Sequence, residues 1–250
     1  MIKYTMLALF LTGSSLCCRQ ALADTAGNPS DEYVVLLHGL GRTSFSMKRL
    51  ELFLRKEGYQ VVNLTYPSTR WTVERLSEDY LAKLLEQRVP TNAARIHFVC
   101  HSLGGIVLRN YLATHQVANL GRVVMFAPPN HGSEIVDGLN RRGLLRVLLG
   151  PALLELGTGP DSLPNRLGPA RFDCGIIAGN RVVNPILARR LTGPGDGKVT
   201  VESTRLDGMK DLLVVRGSHT WLMWQPENLR QTLCFLQSGG FNHEATPSRN

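Results

Sequence analysis

The sequence predicts an α/β fold in which a mostly parallel sheet of about six strands is flanked by helices and carries a small helical cap. Short runs rich in apolar and β-branched residues alternate with segments of helical periodicity. Several of these runs are apolar throughout, as expected for strands that are buried on both faces. Only residues 131–171 interrupt the alternation, which predicts an inserted segment.

The individual elements follow from this alternation. The strand candidates are residues 33–37, 60–64, 96–100, 123–127, 174–178 and 212–215. Helical faces lie around residues 47–54, 73–85 and 104–115, and the last helix begins at Pro226. The polar residues 239–250 predict a flexible tail.

The N-terminus has the features of a secretory signal peptide. Lys3 precedes an apolar run, and Ala21-Leu22-Ala23 supplies the small-x-small pattern of a cleavage site after residue 23. The apolar run is short for a transmembrane anchor, and Leu16 is too bulky for a lipoprotein site at Cys17-Cys18. We therefore expect an exported protein, periplasmic or secreted.

Removal of 23 residues from 250 leaves a mature chain of 227, which suits a single α/β domain over residues 24–238. Its formal charge falls from +8 to +6, because Lys3 and Arg19 are lost and no acidic residue is. The basic residues are scattered, which disfavours nucleic acid as a partner and favours association with an anionic membrane surface. The oligomeric state cannot be predicted.

Three cysteines remain in the mature chain: Cys100, Cys174 and Cys234. An odd number does not form a complete disulfide framework, and two of the three lie in apolar strand candidates. The chain has no CxxC motif or paired His and Cys spacing. The sequence therefore predicts neither a metal site nor a cofactor.

The segment Cys100-His101-Ser102-Leu103-Gly104-Gly105 connects a predicted strand to a predicted helix. This is the setting of a nucleophile elbow, in which a sharp turn exposes the serine hydroxyl at the end of the strand. The usual pattern is G-x-S-x-G, and here Cys100 replaces the first glycine. Cys100 itself lies within the strand, so Ser102 is the candidate nucleophile.

A second glycine-rich turn, His38-Gly39-Leu40-Gly41, ends the first strand. Such a turn directs backbone N–H groups into a cleft, and we assign an oxyanion hole to the N–H groups of Leu40 and Leu103. His38 is expected to brace the turn.

A serine nucleophile requires a base and an acid, which this kind of fold supplies in the order Ser, Asp, His. His219 follows the last strand after a short loop, whereas His115, His131 and His243 lie elsewhere. Asp196 lies in the glycine-rich loop of residues 193–197, which favours it as the acid. Its rivals are Asp161, in the inserted segment, and Asp173 and Asp211, which lie at the starts of strands.

These segments, in this order, resemble the bacterial lipase and esterase branch of the α/β-hydrolase superfamily over residues 33–236. His38-Gly39-Leu40 matches its oxyanion turn. Ser102, Asp196 in the setting Gly-Asp-Gly-x-Val, and His219 match its catalytic triad. Residues 127–133 are similar to the turn that follows the next strand. The resemblance implies the α/β-hydrolase fold. Because the first strand lies within about ten residues of the expected mature N-terminus, we expect the two leading strands usual in this fold to be absent.

The inserted segment predicts two short apolar helices hinged at Gly150-Pro151. We expect its leucines to line an acyl-binding site, although they could instead pack on the body of the protein: Leu144, Leu145, Leu148, Leu153 and Leu154.

The leading hypothesis is a hydrolase of carboxylic esters, acting on a small-molecule or lipid-like substrate. An acyltransferase or thioesterase with the same triad is an alternative, as is a binding protein on a hydrolase scaffold that has no catalytic activity.

Overall fold

A computed structural model of the chain describes residues 31–140, 150–184 and 189–244. The predicted signal peptide, residues 1–23, lies outside them. Six strands are present: β1 (Glu32–Leu37), β2 (Gln60–Asn63), β3 (Arg95–His101), β4 (Leu120–Phe126), β5 (Cys174–Gly179) and β6 (Asp211–Val215). Each contains or overlaps one of the predicted strands, so the predicted set of strands is confirmed.

The six strands form one parallel sheet in the order β2-β1-β3-β4-β5-β6. In the centre of the sheet, Val35 of β1 pairs with Phe98 of β3, and Val123 of β4 pairs with Cys174 of β5. Because parallel strands end at the same edge, the loops after β1, β3, β5 and β6 are neighbours in space.

Helices cover both faces of the sheet. The described α-helices are α1 (Lys48–Lys56), α2 (Val73–Arg75), α3 (Lys83–Arg88), α4 (Leu103–Thr114), α5 (Glu134–Asn140), α6 (Pro151–Leu154), α7 (Leu163–Arg166), α8 (Val201–Thr204) and α9 (Pro226–Ser238). The π-helical segment Leu76–Ala82 joins α2 to α3, and 3₁₀ helices span Ser44–Met47 and Leu222–Trp224. In the described part of the chain, no helix is both long and apolar enough to span a bilayer.

The alternation of side chains along each strand divides the core into two layers. Val34 and Leu36 of β1 pack beneath α1 and α9, together with Leu50 and Phe235. Val35 and Leu37 point to the other face, beneath α2 to α4, with Phe98 of β3. Both layers are fully buried, which explains why the strands are apolar runs and not alternating sequences.

The chain beyond α9 packs on the body as far as the structure describes it. Gly239 ends the helix with a left-handed φ of 82°. Phe241 then packs on Phe235, with a ring-centroid distance of 4.9 Å, and its N–H donates to Asp211. The predicted flexible tail therefore does not include residues 239–244, and residues 245–250 lie outside the described residues.

The inserted segment contains α5, α6 and α7, whereas residues 141–149 lie outside the described residues. The predicted first helix of the pair falls in that gap. The second is α6, which begins at Pro151, the favoured first position of a helix. Gly150 precedes it with a φ of 82°, and a Cβ at this position would overlap the Thr69 carbonyl group. Position 150 therefore requires glycine.

Gly150→Ala should destabilise the protein, because alanine is strained at a left-handed φ and its Cβ would clash with the Thr69 backbone. We expect a loss of about 1–3 kcal/mol, or about 2–4 °C in Tm for each kcal/mol. Thermal unfolding followed by circular dichroism measures it. Gly159→Ala is the matched control in the same segment, since a Cβ there meets nothing within 4 Å. Equal Tm values for the two variants would contradict the account.

Candidate active site

Ser102 lies in the turn between β3 and α4 with a backbone that few non-glycine residues adopt, at φ 53° and ψ −121°. The Ser102 N–H donates to the Phe126 carbonyl of β4 at 2.9 Å, which fixes the turn to the sheet. A Cβ at Gly104 would lie 2.5 Å from the Leu37 carbonyl oxygen, so the start of α4 passes directly against the end of β1. This close approach explains why residue 104, two positions after Ser102, is a glycine.

Three polar side chains from separate loops form a hydrogen-bonded chain at the carboxyl edge of the sheet. His219 Nε2 lies 3.0 Å from Ser102 Oγ, and His219 Nδ1 lies 2.7 Å from Asp196 Oδ2. Asp196 and His219 are 3% and 5% exposed, so water screens their interaction little. The structure thus brings together the three residues selected from the sequence as nucleophile, acid and base.

The loop after β5 holds the Asp196 carboxylate in one orientation. Its Oδ1 accepts hydrogen bonds from the N–H groups of Lys198 at 2.9 Å and Val199 at 3.0 Å, which leaves Oδ2 for the histidine. The backbone N–H of His219 also donates to the Asp196 carbonyl at 3.1 Å. Asp173 and Asp211, the rival acids, lie at the starts of the adjacent strands β5 and β6, at the opposite edge of the sheet.

The two N–H groups assigned to the oxyanion hole lie on either side of Ser102. A Cβ at Gly39 would lie 3.3 Å from Ser102 Cβ, so the turn after β1 contacts the serine directly. Leu103 is the first residue of α4, where an N–H has no partner within the helix. The Leu40 N–H donates to no group in the part of the chain that the structure describes. Both groups are therefore available to an oxygen atom bound beside Ser102.

His38 is buried behind this turn, where its ring nitrogens lie 2.8 Å from the Gly39 carbonyl and 3.2 Å from the Tyr66 N–H. Its ring stacks on Tyr66 with a centroid distance of 4.0 Å. Desolvation lowers the pKa of His38, which keeps the ring neutral. These contacts match the bracing role expected from the sequence.

His101 is a neighbour of the site that the sequence reasoning missed, although it lies within the elbow motif. Its Nε2 donates to the backbone carbonyl of His219 at 2.9 Å, and the two rings lie 4.9 Å apart. Burial and the adjacent His219 hold the pKa of His101 well below its usual value, so the ring is neutral. It therefore fixes the loop that carries His219 without competing for its proton.

A cavity of about 220 Å³ opens beside Ser102 and His219. Its apolar wall comes mainly from the inserted segment, through Ile135, Val136, Leu139, Leu153 and Leu156. Of the predicted cap leucines, Leu153 is in this wall and Leu154 is not. Successive residues of a helix point about 100° apart, so one turn of α6 can direct only one of them into the cavity.

Leu144, Leu145 and Leu148 lie outside the described residues. The sequence reasoning missed Ile135, Val136 and Leu139, whose signal was the apolar i, i+1, i+4 spacing on one face of α5.

The cysteines take no part in this arrangement. Cys100 and Cys174 are free and buried, and burial raises the pKa of the Cys174 thiol to about 12 and that of Cys100 well above its usual value. A buried thiol of high pKa is a poor nucleophile. Among the described residues, no group of three His, Cys, Asp or Glu side chains could hold a metal ion.

Comparison with known proteins agrees with the fold described above. A solved lipase structure from Bacillus licheniformis is similar, with a TM-score of 0.70 and 20% identity, over 85% of this chain and 94% of that one. A metagenomic carboxyl esterase has a TM-score of 0.59 and 21% identity, over 84% and 71% of the two chains.

A monoacylglycerol lipase from Paleococcus ferrophilus has a TM-score of 0.54 and 18% identity, over 85% and 96%. At these identities the similarity shows a shared fold.

A search of curated protein sequences finds no match. The sequence model of the Alpha/beta hydrolase family matches residues 34–235. This range includes all six strands except the first two residues of β1, together with the loops that carry Ser102, Asp196 and His219. The chain belongs to the alpha/beta hydrolase family.

Proposed function

We propose that the chain is a serine hydrolase that cleaves carboxylic esters through an acyl-enzyme on Ser102. The observation that carries the proposal is the chain of contacts from Ser102 Oγ through His219 to Asp196, at 3.0 and 2.7 Å. This arrangement supplies a nucleophile, a base within reach of its proton, and a carboxylate that fixes the tautomer of the base.

In the first half of the proposed reaction, Ser102 Oγ attacks the ester carbonyl carbon while His219 Nε2 accepts the hydroxyl proton. The N–H groups of Leu40 and Leu103 stabilise the negative charge on the former carbonyl oxygen. As the bond to the alcohol breaks, His219 gives its proton to the leaving oxygen. Asp196 stabilises the transient imidazolium through its 2.7 Å contact.

In the second half, a water molecule attacks the acyl-enzyme while His219 accepts a proton from it. Collapse of the second tetrahedral intermediate releases the carboxylic acid and restores the Ser102 hydroxyl. If an alcohol or thiol took the place of water, the same groups would catalyse acyl transfer. Product analysis with and without an added alcohol separates these outcomes.

A lipid-like acyl group is the substrate that the cavity fits best. Its apolar wall is formed by branched aliphatic side chains, and each methylene group of a substrate buried against them contributes about 0.8 kcal/mol. An acyl chain in this wall also excludes water from the oxyanion site, which strengthens the hydrogen bonds there.

Ser102→Ala should abolish ester hydrolysis while leaving the fold intact, because the substitution removes the nucleophile and alanine is no larger than serine. Loss of a triad nucleophile lowers kcat by about 10⁶. The measurement is the hydrolysis of a p-nitrophenyl ester, with Tm recorded for both proteins. Activity above a few per cent of wild type in the folded variant would refute Ser102 as the nucleophile.

Asp196→Asn should lower kcat by about 10⁴ at nearly constant Tm. The amide oxygen can still accept from the Lys198 and Val199 N–H groups, which turns the NH₂ group toward His219 Nδ1. The imidazole then carries its proton on Nε2 and cannot accept one from Ser102. The steady-state rates of Asp173→Asn and Asp211→Asn serve as controls. A larger loss of kcat in either of them, with unchanged Tm, would show that Asp196 is not the acid.

Leu153→Ser should lower kcat/KM for long-chain esters more than for short-chain esters, because Leu153 is 7% exposed and lies in the apolar wall of the cavity. We expect kcat/KM for p-nitrophenyl octanoate to fall about tenfold, with acetate changing little, since burial of several methylene groups is weakened. Leu154→Ser is the matched control from the neighbouring position. An equal loss for both esters together with a lower Tm would identify Leu153 as ordinary core.

A further inference from the structure

Two cationic side chains lie on the wall of the cavity that contains Ser102 and His219. Arg42 follows the turn after β1, and its guanidinium donates to Thr220 Oγ1 at 3.2 Å. Lys198 follows Asp196, and its backbone is fixed on both sides. Its N–H donates to Asp196 Oδ1 at 2.9 Å, and its carbonyl accepts from Ser133 Oγ at 2.7 Å. The two cations are therefore placed by the same loops that place the active-site residues.

No carboxylate neutralises these two charges within the part of the chain that the structure describes. Neither Arg42 nor Lys198 takes part in an ion pair there, and the described residues that line the cavity include no Asp or Glu. Asp196, whose charge acts on Lys198, is engaged by His219 and by two backbone N–H groups. Among the residues that the structure describes, the two cations on the cavity wall thus have no counter-ion in that wall.

The two cations also act on each other and on the site. Desolvation and the charge of Arg42 lower the pKa of Lys198, although Asp196 partly opposes this. Arg42 and Lys198 both contribute to the low pKa of His101, next to Ser102. Like charges held close together repel each other, and an anion bound between them would relieve that repulsion.

The apolar part of the cavity wall comes mainly from α5, α6 and the residue Leu156. The cavity beside Ser102 therefore has both an apolar surface and a positively charged surface. A ligand that matches both has an aliphatic portion and an anionic portion, separated by the group that Ser102 attacks.

We propose that the substrate is an acyl ester whose alcohol portion carries a phosphate group. This rests on the ester-hydrolase function proposed above. The acyl chain occupies the apolar wall, and the phosphate oxygens accept hydrogen bonds from Arg42 and Lys198. Phosphate suits two cations because it carries a charge between −1 and −2 and several strong acceptor oxygens. The cations hold the leaving alcohol and take no part in bond breaking, which proceeds through His219.

The test compares three esters with the same acyl chain: 1-octanoylglycerol, 1-octanoylglycerol 3-phosphate and octanoylcholine. The wild type should hydrolyse the phosphate ester with the highest kcat/KM and octanoylcholine with the lowest. Arg42→Gln and Lys198→Gln should each lower the ratio of kcat/KM for the phosphate ester to that for 1-octanoylglycerol by about tenfold, the value of one charged hydrogen bond. Added salt should lower the wild-type ratio, because it screens the exposed charges.

Arg49→Gln is the matched control, since Arg49 is an exposed arginine of α1 outside the cavity. It should leave the ratio unchanged, and Tm values show whether each variant is folded. Equal kcat/KM values for the phosphate and neutral esters in the wild type would overturn the phosphate proposal. So would a ratio that is unaffected in both Arg42→Gln and Lys198→Gln. If Ser102→Ala and wild type were equally inactive on all three esters, the ester-hydrolase proposal itself would fail.

Discussion

The backbone at Ser102 is the constraint on which the rest of the site depends. A φ of 53° at a residue with a Cβ costs of order 1–3 kcal/mol, and the surrounding structure must supply it. The stabilising contacts that offset this cost are the hydrogen bond from the Ser102 N–H to β4 and the packing of Gly104 against the end of β1. A bulkier residue at Gly104 would separate α4 from β1. It would thereby move both the serine and the N–H of Leu103 away from their partners.

The parallel sheet converts this one strained turn into a site. Ser102 and His219 are 117 residues apart, yet the carboxyl ends of β3 and β6 lie at one edge, so their loops meet. Contacts between these loops, and within the loop after β5, then orient the side chains. His101 holds the backbone of His219, and Lys198 and Val199 orient the Asp196 carboxylate. The backbone of His219 is thus held by a neighbouring loop, whereas the Asp196 carboxylate is held by its own loop.

The sequence predicted what local pattern and chain order determine. Apolar runs gave the six strands, and Ser102, Asp196 and His219 followed from motifs placed at strand ends. It could not predict contacts that depend on packing between distant segments. Examples are the His101 bond to His219 and the need for glycine at residue 150, which Thr69 imposes. The direction of a side chain from a single helical turn was equally inaccessible, so Leu154 was wrongly placed in the cavity.

Labelling with a fluorophosphonate, followed by peptide mass spectrometry, tests the central claim most directly. The reagent loses fluoride and forms a covalent phosphonyl adduct only with a nucleophile that is activated and adjacent to an oxyanion hole. The account predicts one adduct on the native protein, at Ser102, which is lost when the protein is unfolded by heat before labelling. A folded protein that hydrolyses esters but carries no adduct, or carries it on another residue, would contradict the account.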